Sequence, residues 1–137
     1  MILKSACAFS DLDSNDGFIV LIVSRLTKND GQTPDPVLQK IAQRHADCWR
    51  KDLAPPLKTV GAWYRKEINW QQFSDQYQVY LASIKGQEAT DNLYQTIKQK
   101  RVVTVLCVED TCHLCHRGLL LDFMKKKYPD IEIVKDV

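Results

Sequence analysis

Two stretches of the chain are apolar at nearly every position: residues 18–26, with FIVLIV at their start, and residues 102–106, VVTVL. A strand wet on one face alternates apolar and polar side chains. Unbroken runs of this length therefore predict strands covered on both faces, in the middle of a parallel sheet. Residues 2–9 predict another strand, joined to the first central one by a polar turn that closes on Asp16-Gly17, with Asp16 as a turn former. Residues 131–134 predict a short last strand after the break at Pro129. Elsewhere the apolar period is helical. Val37, Leu38, Ile41, Ala42, His45, Cys48 and Trp49 recur three and four apart behind Pro36, which predicts a helix of about four turns, ended before Pro55-Pro56. Residues 57–64 predict a short helix. Asn69 is placed to cap the next, whose inner face is Trp70, Phe73, Tyr77, Leu81 and Ile84 and which Gly86 closes. A further helix begins at Glu88 or Thr90 and turns Leu93, Tyr94 and Ile97 inward. Leu119, Leu120, Phe123 and Met124 define the last, which follows Arg117.

Strands that alternate with helices predict an α/β fold, a three-layer sandwich with a small, mostly parallel central sheet and helices on both faces. Residues 1–137 fit a single domain, long enough to bury a core without disulfides. Turn formers crowd residues 27–36, a loop at the carboxyl end of the second strand that is placed to form one rim of a crevice. No internal repeat is present. Neither Gly-rich phosphate fingerprint, G-x-G-x-x-G or G-x-x-x-x-G-K, occurs, so a dinucleotide or nucleoside triphosphate site has no support from motif.

Composition narrows the partners. With 45% hydrophobic and 26% charged residues, and 19 basic against 17 acidic, the chain reads as an ordinary globule without a strong field for polyanions. The basic runs 98–101 and 125–127 fall at the ends of predicted helices, where cations favour the dipole and stay solvated. No secretory pattern opens the chain. The apolar run 18–23 is six residues, far below the roughly 20 that span a bilayer, so no membrane is expected and a cytoplasmic setting is. Five cysteines, an odd number in a reducing compartment, point to thiols, metal ligands or a reactive site rather than a disulfide framework.

Those cysteines concentrate where the second apolar run stops. Residues 107–117, CVEDTCHLCHR, carry three cysteines, two histidines, two acids and an arginine between the end of a strand and the start of a helix, the crevice at which open α/β sheets bind ligands. Backbone N–H groups of the helix start and the fork of Arg117 would cradle sulfate, phosphate or carboxylate. The same field would lower the pKa of Cys112 or Cys115 and favour the thiolate. The spacing of residues 112–117 resembles the active loop of rhodanese-type sulfurtransferases, without its glycines. Catalytic candidates are Cys115, His116 and Glu109, with Glu109 as general base, as a partner that orients His116, or as a structural partner of Arg117, the reading slightly favoured. Candidate ligand-binding residues are Arg117, Cys107, Cys112 and Arg25, which ends the neighbouring central strand. The ligand expected is small and anionic, of the phosphate type.

Other readings use the same residues. Cys112-x-x-Cys115 with His45-x-x-Cys48 offers four zinc ligands, although the face of His45 and Cys48 also carries Ile41 and Trp49 and so reads as core; no metal or other cofactor is expected, with zinc as the alternative, at these residues or at a site that uses Cys107 or His116 instead. Cys112-x-x-Cys115-His116 matches a c-type haem attachment signature, which belongs to exported proteins, and C-x-x-C suits a thioredoxin-like role without the expected surroundings. Trp49, Trp63, Tyr64 and Trp70 interleave with Arg50, Lys51, Lys58, Arg65 and Lys66 as single-strand nucleic-acid platforms do, yet fall on aliphatic helix faces, so packing is favoured over nucleic-acid binding. A protein-binding module without chemistry is a further alternative.

Cys107-x-Glu109, followed by Cys115-His116-Arg117, resembles the C-x-E…C-H-R signature of the YeaO-like family, domain of unknown function 488. Asp16-Gly17-Phe18 ahead of Ser24-Arg25-Leu26 fits that family's D-G-Y…R-L landmark. Trp49 with Leu53-Ala54-Pro55 fits W…L-A-P, and Trp70, Phe73 and Tyr77 fit W…F…Y. The resemblance covers most of the chain. It departs where the family carries W-P-R-G and this chain has Thr27-Lys28-Asn29-Asp30, and where a proline ahead of C-H-R is Cys112. The resemblance implies no established activity.

Overall fold

The computed structural model describes residues 1–8, 10–23, 33–108 and 115–136, with the side chains of all of these except Ile41, Ala42 and His45. Among the described residues five strands form one sheet in the order β3-β2-β4-β1-β5, every pair parallel: β1 Ile2–Cys7, β2 Phe18–Leu21, β3 Cys48–Trp49, β4 Val102–Cys107 and β5 Glu132–Val134. Helices α1 Pro36–His45, α2 Leu57–Tyr64, α3 Trp70–Ala82, α4 Ile84–Lys100 and α5 His116–Lys127 complete the α/β sandwich. The two continuously apolar runs lie inside the sheet, as their pattern predicts: β4 is central and β2 is its neighbour. β2 proper ends at Leu21, but Ile22 continues the ladder by donating its N–H to the Leu106 carbonyl at 3.0 Å. Residues 24–26 of the predicted strand lie outside the described residues.

The larger core face sets Leu3, Val20, Val103 and Val105 of the sheet against Tyr77, Leu81, Leu93, Leu120 and Met124 of α3, α4 and α5. On the other face Leu38 of α1 and Leu12 pack against Ala6, Ile19, Leu21 and Leu106. Each aliphatic side chain buried in this way contributes about 1.5–3 kcal/mol relative to leaving it in water. No helix among the described residues is long and apolar enough to cross a membrane.

Two helix boundaries differ from the expected ones. The helix from Pro36 stops at His45 rather than running to Trp49. Asp47 is captured by β2: its carboxylate accepts the Ile19 N–H at 2.7 Å and its own N–H donates to the Ile19 carbonyl at 2.8 Å. Cys48 and Trp49 are thereby pulled into strand pairing with Val20 and Leu21. Apolar spacing could not show this, because the competing partner lies 28 residues away. Further on, Gly86 does not end α3. Ser83 does, with extended backbone, and its hydroxyl accepts the Gly86 N–H at 3.2 Å to cap α4. Ile84, expected on the inner face of α3, opens α4 and is 83% exposed. Gly86 serves close approach: a Cβ there would lie 2.1 Å from the Tyr80 carbonyl oxygen.

The basic runs lie in the last turns of α4 and α5. Several of their ammonium groups meet partners within the chain: Lys100 over the Phe18 ring, Lys125 on the carbonyls of Pro129 and Ile131, Lys127 on Asp91.

At the amino end of the sheet Asp13 and Asp16 form a reciprocal capping box around a 3-10 turn, Ser14–Asp16, confirming Asp16 as a turn former. Gly17 follows with φ of 69°, and a Cβ there would lie 2.2 Å from the Val102 carbonyl oxygen. The Thr104 hydroxyl donates to the Asp16 carbonyl at 2.6 Å, and Lys4 pairs with the Asp16 carboxylate at 3.5 Å.

The order of strands also singles out one place at the opposite end. From β1 the chain leaves past Leu12, on the α1 side, to reach β2; from β4 it leaves through α5, on the other side, to reach β5. Adjacent strands whose connections part in this way define the crevice where open α/β sheets bind ligands. The last paired residues there are Cys7 and Cys107.

Candidate functional site

Cys107 ends β4, and Cys115 stands at the N-cap position of α5 with extended backbone and no side-chain cap hydrogen bond. His116 opens that helix, so one strand end and one helix start fix all three side chains. Both cysteines are 2% exposed. The Cys107 sulfur lies 3.7 Å and the Cys115 sulfur 3.9 Å from His116 Nδ1, and the three atoms lie within 4.8 Å of one another. Neither cysteine is in a disulfide.

His116 Nε2 lies 2.7 Å from the Ile22 carbonyl oxygen. A carbonyl can only accept, so Nε2 carries the hydrogen; in the neutral ring Nδ1 then holds a lone pair facing the two sulfurs. Ile22 occupies that position because β2 continues its ladder against β4 one residue beyond Leu21. The Tyr77 ring closes the other side edge-on, with centroids 5.8 Å apart, and its hydroxyl donates to the Leu53 carbonyl at 2.5 Å. The family landmarks thus have physical work here: Tyr77 flanks the imidazole, Leu53 is fully buried and positions Tyr77, and Trp49 donates its indole N–H to the Val23 carbonyl at 2.6 Å, one residue beyond Ile22.

Arg117 is fully buried, and its guanidinium meets the Asp136 carboxylate through Nε at 3.3 Å and Nη2 at 3.2 Å. Asp136 in turn donates its N–H to the Ser5 hydroxyl at 3.0 Å. The partner expected from sequence, Glu109, lies outside the described residues, as do Arg25 and Cys112.

Electrostatics corrects one expectation. The helix start was expected to lower the Cys115 thiol, but burial pushes it well up, and its S–H hydrogen bond to Cys107, together with the negative charge Cys107 can carry, adds to the rise; Arg117 opposes both. Burial lowers the His116 imidazole, yet Cys107 and the Ile22 carbonyl outweigh burial and the pKa moves up. For Arg117 burial is likewise outweighed by Cys115, Cys107 and Asp136, so it stays charged. Burial, followed by the charges of Cys115 and Cys107, raises the Tyr77 hydroxyl well above the phenol range. Cys107 is thus a shared neighbour of Cys115, His116 and Arg117 in the electrostatics of this centre.

The structure thus brings together Cys107, Cys115, His116 and Arg117. Sequence reasoning missed three contributors: the Ile22 backbone, Tyr77 and Asp136. Tyr77 had a signal in the W…F…Y landmark, whereas a carbonyl and a residue near the last strand had none. The second half of the four-ligand zinc reading fails as drawn, since Cys48 is in β3 and not one helical turn beyond His45; the side chain of His45 lies outside the described set. Trp63, Trp70 and Phe73 pack on one another, Trp70 and Phe73 stacked at 5.0 Å and Trp63 edge-on to Trp70 at 5.4 Å.

Fold and site together define a parallel α/β protein with a buried thiol–imidazole cluster at the carboxyl end of its central strand. Residues 11–128 match a family model described as DUF488-N3a, the active DUF488-N3 subclade, and the chain belongs to that family of domains of unknown function. No curated protein and no solved structure matches it.

Proposed function

We propose that the carboxyl end of the sheet binds a small anionic or polar ligand and acts on it by thiol chemistry. Cys107 is the nucleophile, His116 its base, Cys115 the S–H donor that steadies the Cys107 sulfur, and Arg117 the fixed positive charge. The observation that carries this reading is the orientation of His116, whose Nε2–H is held by Ile22 while Nδ1 faces both sulfurs. In the reaction the Cys107 S–H proton passes to Nδ1, and the sulfur lone pair forms a bond to an electrophilic atom of the ligand. The leaving group departs with the bonding electrons and takes the proton back from the imidazolium. Glu109, Arg25 and Cys112 remain candidates for the rim by sequence alone. A site built on reduced thiols suits a reducing compartment, and we place the protein in the cytoplasm on that ground.

The test is alkylation of the chelator-treated chain by iodoacetamide, with each modified cysteine located by mass spectrometry, in the presence and absence of phosphate and sulfate. Cys107 should be modified faster than Cys7 and Cys48, His116→Gln should slow it by about a hundredfold, and the anions should protect it. Equal rates at all cysteines, unaffected by His116→Gln or by either anion, would overturn the reading.

A further inference from the structure

We propose that Cys107 Sγ, Cys115 Sγ and His116 Nδ1 form a binding site for a divalent cation of the zinc type, with its fourth position open to a ligand, and that the bound metal silences the thiols. The geometry carries the binding half. In tetrahedral zinc sites with bonds of about 2.3 Å to sulfur and about 2.0 Å to nitrogen, sulfur and nitrogen stand about 3.6 Å apart and two sulfurs about 3.8 Å apart. Here the sulfur–nitrogen separations are 3.7 and 3.9 Å, a few tenths of an ångström from coordination, and the two sulfurs, inside 4.8 Å of one another, would close by up to about 1 Å.

Three further features fit. A ligating imidazole needs its other nitrogen anchored so that the lone pair points at the metal, and the Ile22 carbonyl does this for Nε2 at 2.7 Å. The three ligand atoms come from a central strand end and the first turn of a helix, elements rigid enough to hold a fixed geometry. Two thiols and an imidazole without a carboxylate, the composition of this cluster among the described residues, select a borderline-soft ion over magnesium or calcium. On binding, each thiol releases its proton to solvent and the two thiolates neutralise the dication, while Arg117 stays paired with Asp136. Coordination draws thiolate charge towards the metal and so slows attack by either sulfur on a ligand. The silencing, though not the binding, rests on the thiol reading above.

The full chain, stripped with a chelator and titrated with cobalt(II) and then zinc(II), tests this with spectra that need no activity. One cobalt per chain should give the visible bands of a tetrahedral ion and a near-ultraviolet sulfur-to-cobalt band, both abolished by zinc. Cys107→Ser and Cys115→Ser should each weaken binding at least about tenfold, and Cys48→Ser should not. A parallel arm on the unmodified sequence covers variants that fail to fold: zinc should protect Cys107 and Cys115 from iodoacetamide and leave Cys7 and Cys48 unaffected. Absence of tetrahedral cobalt bands, or bands that persist when both Cys107 and Cys115 are replaced, overturns the site. Fast labelling of the stripped chain without cobalt binding would refute the metal and spare the thiol reading; cobalt binding with uniformly slow labelling would refute the silencing and leave the metal.

Discussion

The two ends of the sheet use polar groups in opposite ways. At the amino end each polar group described above is closed on a fixed partner: the capping box of Asp13 and Asp16, the Thr104 hydroxyl on the Asp16 carbonyl, and Lys4 on the Asp16 carboxylate. Gly17 is wedged against the Val102 backbone with no room for a side chain. At the carboxyl end Cys107, Cys115 and His116 are buried, and they meet across sulfur contacts of 3.7 and 3.9 Å, which are weak and exchangeable. Among the described residues, strong, directional bonds there run from His116 to Ile22, from Tyr77 to Leu53 and from Arg117 to Asp136. The difference is that between a joint and a site: one end sets the register of β2 against β4, the other holds loosely coupled groups inside a rigid frame.

Substitutions can break this contrast. Gly17→Ala should have the largest effect, because a left-handed φ of 69° is combined with a 2.2 Å clash on backbone; strain and overpacking together should cost about 2–5 kcal/mol in chemical denaturation. Tyr77→Phe should cost about 1–3 kcal/mol, since it leaves the Leu53 carbonyl without the Tyr77 donor in the core. Thr104→Val, nearly isosteric, removes one hydrogen bond to a backbone carbonyl and should cost about 1 kcal/mol. For the contrast to hold, Thr104→Val must leave the relative alkylation rates of the cysteines unchanged. The smallest effect belongs to the exposed pair Arg65–Glu67, whose hydrogen bond lowers the Glu67 carboxyl. A lowered folded pKa contributes above the unfolded carboxylate value and is lost as pH falls through the folded one. Glu67→Gln should therefore melt with the parent at acid pH and differ from it at neutral pH at the edge of detection.

Much of the fold was legible because burial on both faces leaves a plain mark: FIVLIV and VVTVL could hardly sit anywhere but inside the sheet. Asn69 was legible for a local reason, since it caps α3 through its own side chain and Gln72. The errors arose where a distant or overlooked group competed with local period. Asp47 ended α1 from across β2, and Ser83, a good cap hidden in a helical run, started α4 ahead of the expected Glu88 or Thr90. At the site, Cys107, Cys115 and His116 of the C-x-E…C-H-R signature lie together in the structure. Their roles were not legible. The helix start suggested a lowered Cys115 thiol, because nothing in the sequence reports that the thiol is buried and donates to Cys107.

The orientation of the His116 ring is the point on which both the thiol and the metal readings turn, and it can be observed directly. The chain has three histidines, so long-range proton–nitrogen correlation spectra of the chelator-treated, nitrogen-15-labelled protein, with His116→Gln to identify the signal, report which ring nitrogen carries hydrogen. The neutral ring should be protonated on Nε2 and bare on Nδ1. A neutral ring protonated on Nδ1 would turn its donor towards the sulfurs, remove both the base and the metal ligand, and contradict the site described here.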